Sequence, residues 1–257
     1  MDLGIKGKIF FVTWGAKGIG ASIARQLTEE AATAVIFDLD ADAAESLRAE
    51  LGADQVYFQK VDLRDTSVCQ KAISTTFEIL GRIDGLVNNA GVNDGVGLES
   101  GSPAQFRASL EKNLHHFYDM AHFCLPYLKD SQGCILNIGS TTAETGQGKT
   151  SGYAAAKGGV MALTREWAVE LLQYEIRVNA IIPAEVMTPL YRQWLNSFDN
   201  PDTKEKSITD RIPLGNRMTT AEEIAQTAIF LLSEKASHIT GQHIHVDGGY
   251  THLDRII

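Results

Sequence analysis

Ile9-Phe10-Phe11-Val12-Thr13-Trp14-Gly15-Ala16-Lys17-Gly18-Ile19-Gly20 runs from an unbroken apolar stretch straight into a glycine-rich turn, and a segment of helical period then continues through Ala31. A buried strand, a turn built from Gly15, Gly18 and Gly20, and a helix entered directly from that turn form a unit suited to a dinucleotide. Glycines let the backbone approach a diphosphate, and a helix N-terminus offers N–H groups and a favourable dipole. The unit predicts that Gly15, Lys17, Gly18, Ile19 and Gly20 line the phosphates.

Outward from this unit the same rhythm repeats. Short apolar runs at 34–37, 56–58, 85–87, 135–138, 178–182 and 243–246 alternate with helix-length stretches. Runs without polar alternation, separated by amphipathic segments, predict parallel strands covered on both faces. The expected fold is therefore α/β: a Rossmann-type doubly wound, seven-stranded parallel sheet with helices on both faces, in a single domain over 1–257. One connection breaks the rhythm, since residues 188–217 insert about thirty residues where a few suffice, which predicts a substrate lid or cap.

Composition narrows the function. A net charge of −9, with basic residues scattered, excludes a nucleic-acid surface. No apolar run is long enough for a membrane span or a secretory leader, which predicts a cytoplasmic protein. Cys69, Cys124 and Cys134 lack ligand spacing and read as reduced thiols. His115, His116, His122, His243, His245 and His252 fall on different elements without a ligand motif, so no metal is expected.

Two further positions carry chemistry. Asp38 stands eighteen residues past Gly20, at the end of the second strand. There a carboxylate can accept from the adenosine ribose hydroxyls and would repel a 2′-phosphate, which favours NAD and leaves NADP possible through Lys17. In Tyr153-Ala154-Ala155-Ala156-Lys157 the phenol and the ammonium share one helical face. A phenol with a pKa of about 10 is a poor base near neutrality, and a neighbouring ammonium stabilises its phenolate. Thirteen residues before Tyr153, the fifth strand ends in Gly139-Ser140, which puts a hydroxyl at the carboxyl edge of the sheet where it can hold a reacting oxygen.

These residues, with Asp62-Leu63, Asn88-Asn89-Ala90-Gly91 and Asn113, make the chain resemble the short-chain dehydrogenase/reductase family along essentially its whole length. The resemblance implies Tyr153 as acid/base, Ser140 as polarising hydroxyl, Lys157 as ribose ligand and phenol activator, and Asn113 as anchor of a proton-relay water. It also implies Asp62 and Leu63 at the adenine, Asn89, Ala90 and Gly91 along the cofactor, Pro183, Val186 and Thr188 over the nicotinamide side, and a homotetramer or homodimer. Two positions depart from the family pattern. Trp14 replaces its first glycine, which fits if the indole has a negative φ and points outward, and Ala184 stands where a glycine commonly follows Pro183.

The remaining polar and aromatic loop residues predict the substrate. Glu185 puts a carboxylate near the nicotinamide side, and Asn93, Gln147, Tyr191 and Trp194 add amides and flat apolar faces, a mixture suited to a sugar. The stretches 88–95, 145–148, 183–191 and 247–255 resemble the branch of the family that oxidises L-fucose and related 6-deoxy aldoses at the anomeric carbon, implying a lactone product. The competing expectations are an NADPH-dependent reductase of a keto acid, ketosteroid or acyl thioester, and a non-catalytic nucleotide-binding protein with Trp14 spoiling the phosphate loop.

Overall fold

The computed structural model describes residues 2–253. In chain order its elements are β1 Ile9–Thr13, α1 Gly18–Glu29, β2 Thr33–Asp38, α2 Ala41–Leu51, β3 Val56–Lys60, α3 Thr66–Leu80, β4 Gly85–Asn88, α4 Pro103–Leu110, a π-helical turn Glu111–His115, α5 His116–Ser131 and β5 Cys134–Ile138. There follow α6 Thr142–Thr145, α7 Ser151–Glu170, β6 Arg177–Pro183, α8 Pro189–Leu195, α9 Pro201–Thr209, α10 Ala221–Leu232 and β7 His243–Val246. The strands form one parallel sheet in the order β3-β2-β1-β4-β5-β6-β7, as expected from the apolar runs.

Side-chain alternation shows why the central runs carry no polar break. Phe10 and Val12 of β1 enter the apolar cluster formed with Ile23 and Leu27 of α1 and Ile224 and Ala228 of α10. Ile9 and Phe11 point the other way, into a cluster with Ile73 of α3, Phe117 and Met120 of α5 and Val160 of α7. Both faces of β1 are thus dry, and all five of its residues are buried. Strand order reverses between β1 and β4, so the crevice for a ligand opens at their carboxyl ends.

Between α4 and α5 the helix runs through the π turn Glu111–His115, where the backbone widens around the buried Asn113. The insertion 188–217 is not irregular: α8 and α9 begin at Pro189 and Pro201, with Thr188 and Asn200 accepting from backbone N–H groups as caps. Leu195, Ile212 and Met218 form a small core beneath them. The three cysteines are free and buried. Among the described residues no helix is long and apolar enough to cross a membrane. Of the stretch 247–255 that carries part of the family resemblance, residues 254 and 255 lie outside the described residues.

His116, at the start of α5, sets an acid limit on this fold. Its Nε2 lies 2.9 Å from Lys112 O, while Nδ1 is buried with no partner. Burial, reinforced by the Lys157 charge, lowers its pKa from 6.5 to about 4. The folded protein therefore binds the proton less well than the unfolded chain. Its contribution is complete above the unfolded value and is lost as pH falls from 6.5 to about 4, a loss on the order of 3 kcal/mol. A Tm series across that window should fall more steeply for the native protein than for His116→Phe.

Candidate active site

The glycine turn is fixed from both neighbouring strands. Trp14 N donates to Phe37 O at 2.8 Å, and Asn89 Nδ2 donates to the carbonyls of Thr13 and Trp14 at 3.0 and 3.2 Å. Thr13 Oγ1 accepts from the N–H groups of Asn89 and Ala90 at 2.9 and 3.1 Å. Thr13 was missed by sequence reasoning, because a threonine ending a strand looks like ordinary strand composition.

Trp14 meets neither condition named for tolerating an indole here, a negative φ and an outward ring. Its φ is +50°, and the half-buried indole packs against the Phe11, Phe37 and Leu63 side of the core. The left-handed conformation costs an L-residue about 1–2 kcal/mol, and ring burial offsets it. Lys17 is corrected too: its ammonium is paired with Asp40, so it is not a free charge of the loop.

These residues fit a dinucleotide. No side chain caps α1 and its first turn holds no acid, which leaves the positive end of the helix dipole to an anion. Asp38 ends β2, its Oδ2 accepting from Ala16 N at 3.1 Å and Oδ1 from Asp40 N at 3.0 Å. The carboxylate is thereby rigid beside the turn. Asp62 is held bidentately by Arg64 at 2.9 and 2.6 Å, which drives its pKa to about 2. Leu63 is buried beside it. The segment after β6 closes on the turn, since a Cβ built on Gly18 would meet Thr188 Cγ2 at 3.3 Å. Pro183 ends β6, with its carbonyl accepting from Thr141 N, and Val186 bridges to Thr219.

Across the crevice, α7 brings Tyr153 and Lys157 to Ser140 at the end of β5. Lys157 is fully buried and its Nζ donates to Ile138 O at 2.7 Å, lying 5.7 Å from the centre of the Tyr153 ring. Burial lowers the Lys157 pKa to about 7. The expected lowering of the phenol by the Lys157 ammonium is not seen: burial and, less strongly, the Glu185 carboxylate raise Tyr153 to about 12 against the opposing pull of a hydrogen bond with Ser140. Asn113 is buried on the π turn, its Oδ1 accepting from Val92 N at 2.7 Å and its Nδ2 donating to Ser109 O at 3.0 Å.

Gly91 ties these groups together. A Cβ there would lie 3.0 Å from Lys157 Nζ and 3.4 Å from Asn113 Oδ1. We expect Gly91→Ala to displace the ammonium by a few tenths of an ångström and lower kcat roughly tenfold, with a circular-dichroism spectrum like that of the native protein.

The family model described as enoyl-(acyl carrier protein) reductase matches residues 15–251. The chain belongs to the short-chain dehydrogenase/reductase family. Like its relatives in that family, it is an NAD(P)-dependent dehydrogenase acting on CH–OH groups. It is 36% identical to the L-fucose dehydrogenase of Bos taurus, over 95% of this chain and 89% of that one. It is 32% identical to a 3-oxoacyl-(acyl-carrier-protein) reductase of Thermotoga maritima, over 95% and 98%. The solved structure described as Cj0485 dehydrogenase superposes with a TM-score of 0.96 at 47% identity, covering 100% of this chain and 99% of that one.

Beside this short-chain dehydrogenase centre lies a cavity of about 560 Å³, lined by Thr141, Gln147, Glu185, Tyr191, Trp194 and Tyr250 among others. Tyr191 donates its hydroxyl to Glu185 Oε2 at 2.6 Å, and burial followed by the Glu185 charge drives its pKa far up, so it stays a donor. Trp194 packs edge-on against Tyr191 and Phe198. Asn93 reaches the rim through Gln147, to whose Oε1 it donates at 3.3 Å. Asp94 does not join them: it accepts from Ser109 Oγ at 2.9 Å and belongs to the loop's anchorage on α4. Lys204, Arg211 and Tyr250 line the cavity unforeseen, the first two because nothing in the sequence shows how the insertion folds back.

Proposed function

We propose that this dehydrogenase oxidises an aldose, L-fucose or a closely related 6-deoxy sugar, at its anomeric carbon to the lactone, with NAD as the preferred acceptor. The carrying observation is the cavity next to Ser140 and Tyr153, in which the Glu185 carboxylate, the Gln147 amide and the Trp194 face combine. Several hydrogen-bonding groups around a flat apolar wall suit a polyol ring with a methyl corner better than an acyl chain. The likeness to an L-fucose dehydrogenase over nearly the whole chain supports the same substrate class.

In this reading Gly15, Gly18, Ile19 and Gly20, with the backbone of Lys17, hold the diphosphate. Asp38 holds the adenosine ribose and so selects against a 2′-phosphate. Asp62 and Leu63 face the adenine, and Asn89, Ala90, Gly91, Pro183, Val186 and Thr188 border the nicotinamide half. When bound, the dinucleotide supplies the hydride acceptor. The chain's own groups manage the proton and the orientation. Ser140 and Tyr153 hold the anomeric oxygen, Tyr153 takes its proton as the C1–H bond breaks, and Lys157 stabilises the phenolate. Asn113 anchors a water that carries the proton onward. Glu185, Gln147, Asn93, Tyr191 and Trp194 fix the ring.

In the same proposal the chain is one catalytic domain capped by residues 188–217, acting in the cytoplasm as a homotetramer or homodimer. Exposed Phe106, Tyr118, Val169 and Leu172 on and beside α4, α5 and α7 supply an apolar surface for that assembly. Initial rates with NAD and NADP against L-fucose, D-arabinose, L-galactose, a secondary alcohol and an acetoacetyl thioester test the substrate class. Turnover of the sugars with NAD supports it. Turnover confined to the thioester with NADPH replaces it by a reductase, and a thermal shift with NAD but no turnover replaces it by a binding protein.

A further inference from the structure

The last turn before residue 254 meets α6 in an arrangement that an ion pair does not explain. His245 on β7 and His252 in the terminal turn bring their rings to 4.4 Å, nearly perpendicular, and both face the carboxylate of Glu144. His245 Nε2 lies 3.1 and 3.2 Å from the two Glu144 oxygens, and His252 Nε2 lies 3.9 Å from Oε2. The three groups each offer a ligand atom, and these atoms all fall within 4.8 Å of one another. At 3.9 Å the second imidazole is too distant for a hydrogen bond, yet it is aimed at the same point as the first.

We propose that Glu144, His245 and His252 form a binding site for a divalent transition-metal cation of the zinc class. Two imidazoles and one carboxylate suit such an ion in donor type and number, leaving a coordination position for water. Magnesium and calcium, which take all-oxygen ligands, fit poorly. One cation between the three groups gives each a partner at bonding distance after a closure of about an ångström by the exposed His252 side chain.

The site's place in the fold defines what the ion does. Thr145 and Gln147, following Glu144 in sequence, line the cavity from one side, and Tyr250 and Thr251, preceding His252, line it from another. Asp247 already shapes the terminal turn, accepting from the N–H groups of Gly249 and Thr251 at 2.9 and 2.8 Å. The ion joins that turn and β7 to α6 and makes the outer wall of the cavity rigid. It takes no part in the chemistry at Tyr153.

The test uses full-length, tag-free protein stripped with a chelator and needs no substrate. Titration with Zn²⁺ should raise Tm, Mg²⁺ should leave it unchanged, and Co²⁺ should develop the visible absorption of a low-coordinate nitrogen/oxygen site. His252→Ala and Glu144→Gln should each weaken binding by roughly tenfold or more in calorimetry, with a metal-free Tm close to that of the stripped native protein. The proposal is overturned if Zn²⁺ gives no shift, if Mg²⁺ matches it, or if both variants bind Zn²⁺ as the native protein does.

Discussion

Replacing Tyr153 by Phe is expected to lower kcat by roughly 10³-fold, with the protein still folded and still binding the dinucleotide. The ring stays, so packing around it is kept, and only the oxygen that can exchange a proton is lost. In the native protein burial raises the phenol to about 12 and lowers Lys157 to about 7. In the proposed mechanism oxidation requires the phenolate, so its rate should rise with pH over the alkaline range. Reduction requires the phenol and should show the opposite slope. Tyr153→Phe should flatten both profiles, which a loss of packing alone would not do. A variant with native kcat and an unchanged profile would remove Tyr153 from the chemistry.

The second large effect is expected at Gly20. A Cβ at this position would stand 2.2 Å from Trp14 O and 2.9 Å from both Asn89 Nδ2 and Gly15 Cα. The backbone of the turn cannot give way cheaply, because Trp14 is already left-handed and bonded on both sides to Phe37 and Asn89. Gly20→Ala should cost about 1–3 kcal/mol, lower Tm by roughly 3–10 °C, and abolish the rise in Tm that NAD produces. Gly158→Ala serves as the control, since a Cβ there meets nothing within 4 Å. It should leave the NAD response intact. A native NAD response in Gly20→Ala would show that the dinucleotide does not depend on this turn.

The strands were readable from the sequence because a parallel sheet with both faces covered leaves apolar runs that few other structures need. β7 matches its expected bounds, while β3 extends two residues further, into the polar Gln59 and Lys60 at the sheet's edge. Local spacing also made Tyr153 and Lys157 visible, since i and i+4 share a helical face whatever the fold. Trp14 was not readable. Its φ accompanies hydrogen bonds to β2 and from Asn89 after β4, contacts between distant positions that local sequence does not record. The grouping of Glu144 with His245 joins positions 101 apart in the chain, and no periodicity records such a meeting. The same holds for Lys204 and Arg211, which reach the cavity only because α9 folds back over it.

Oxidation at the anomeric carbon by the Ser140–Tyr153–Lys157 centre is tested most directly with L-fucose carrying deuterium at C1, incubated with NAD and the native protein. The label should leave the sugar and be recovered in the NADH, one per lactone formed, and Tyr153→Phe should abolish the transfer. NADH formed without deuterium, or label retained in an oxidised sugar, would place the reaction at another carbon and contradict the proposed chemistry.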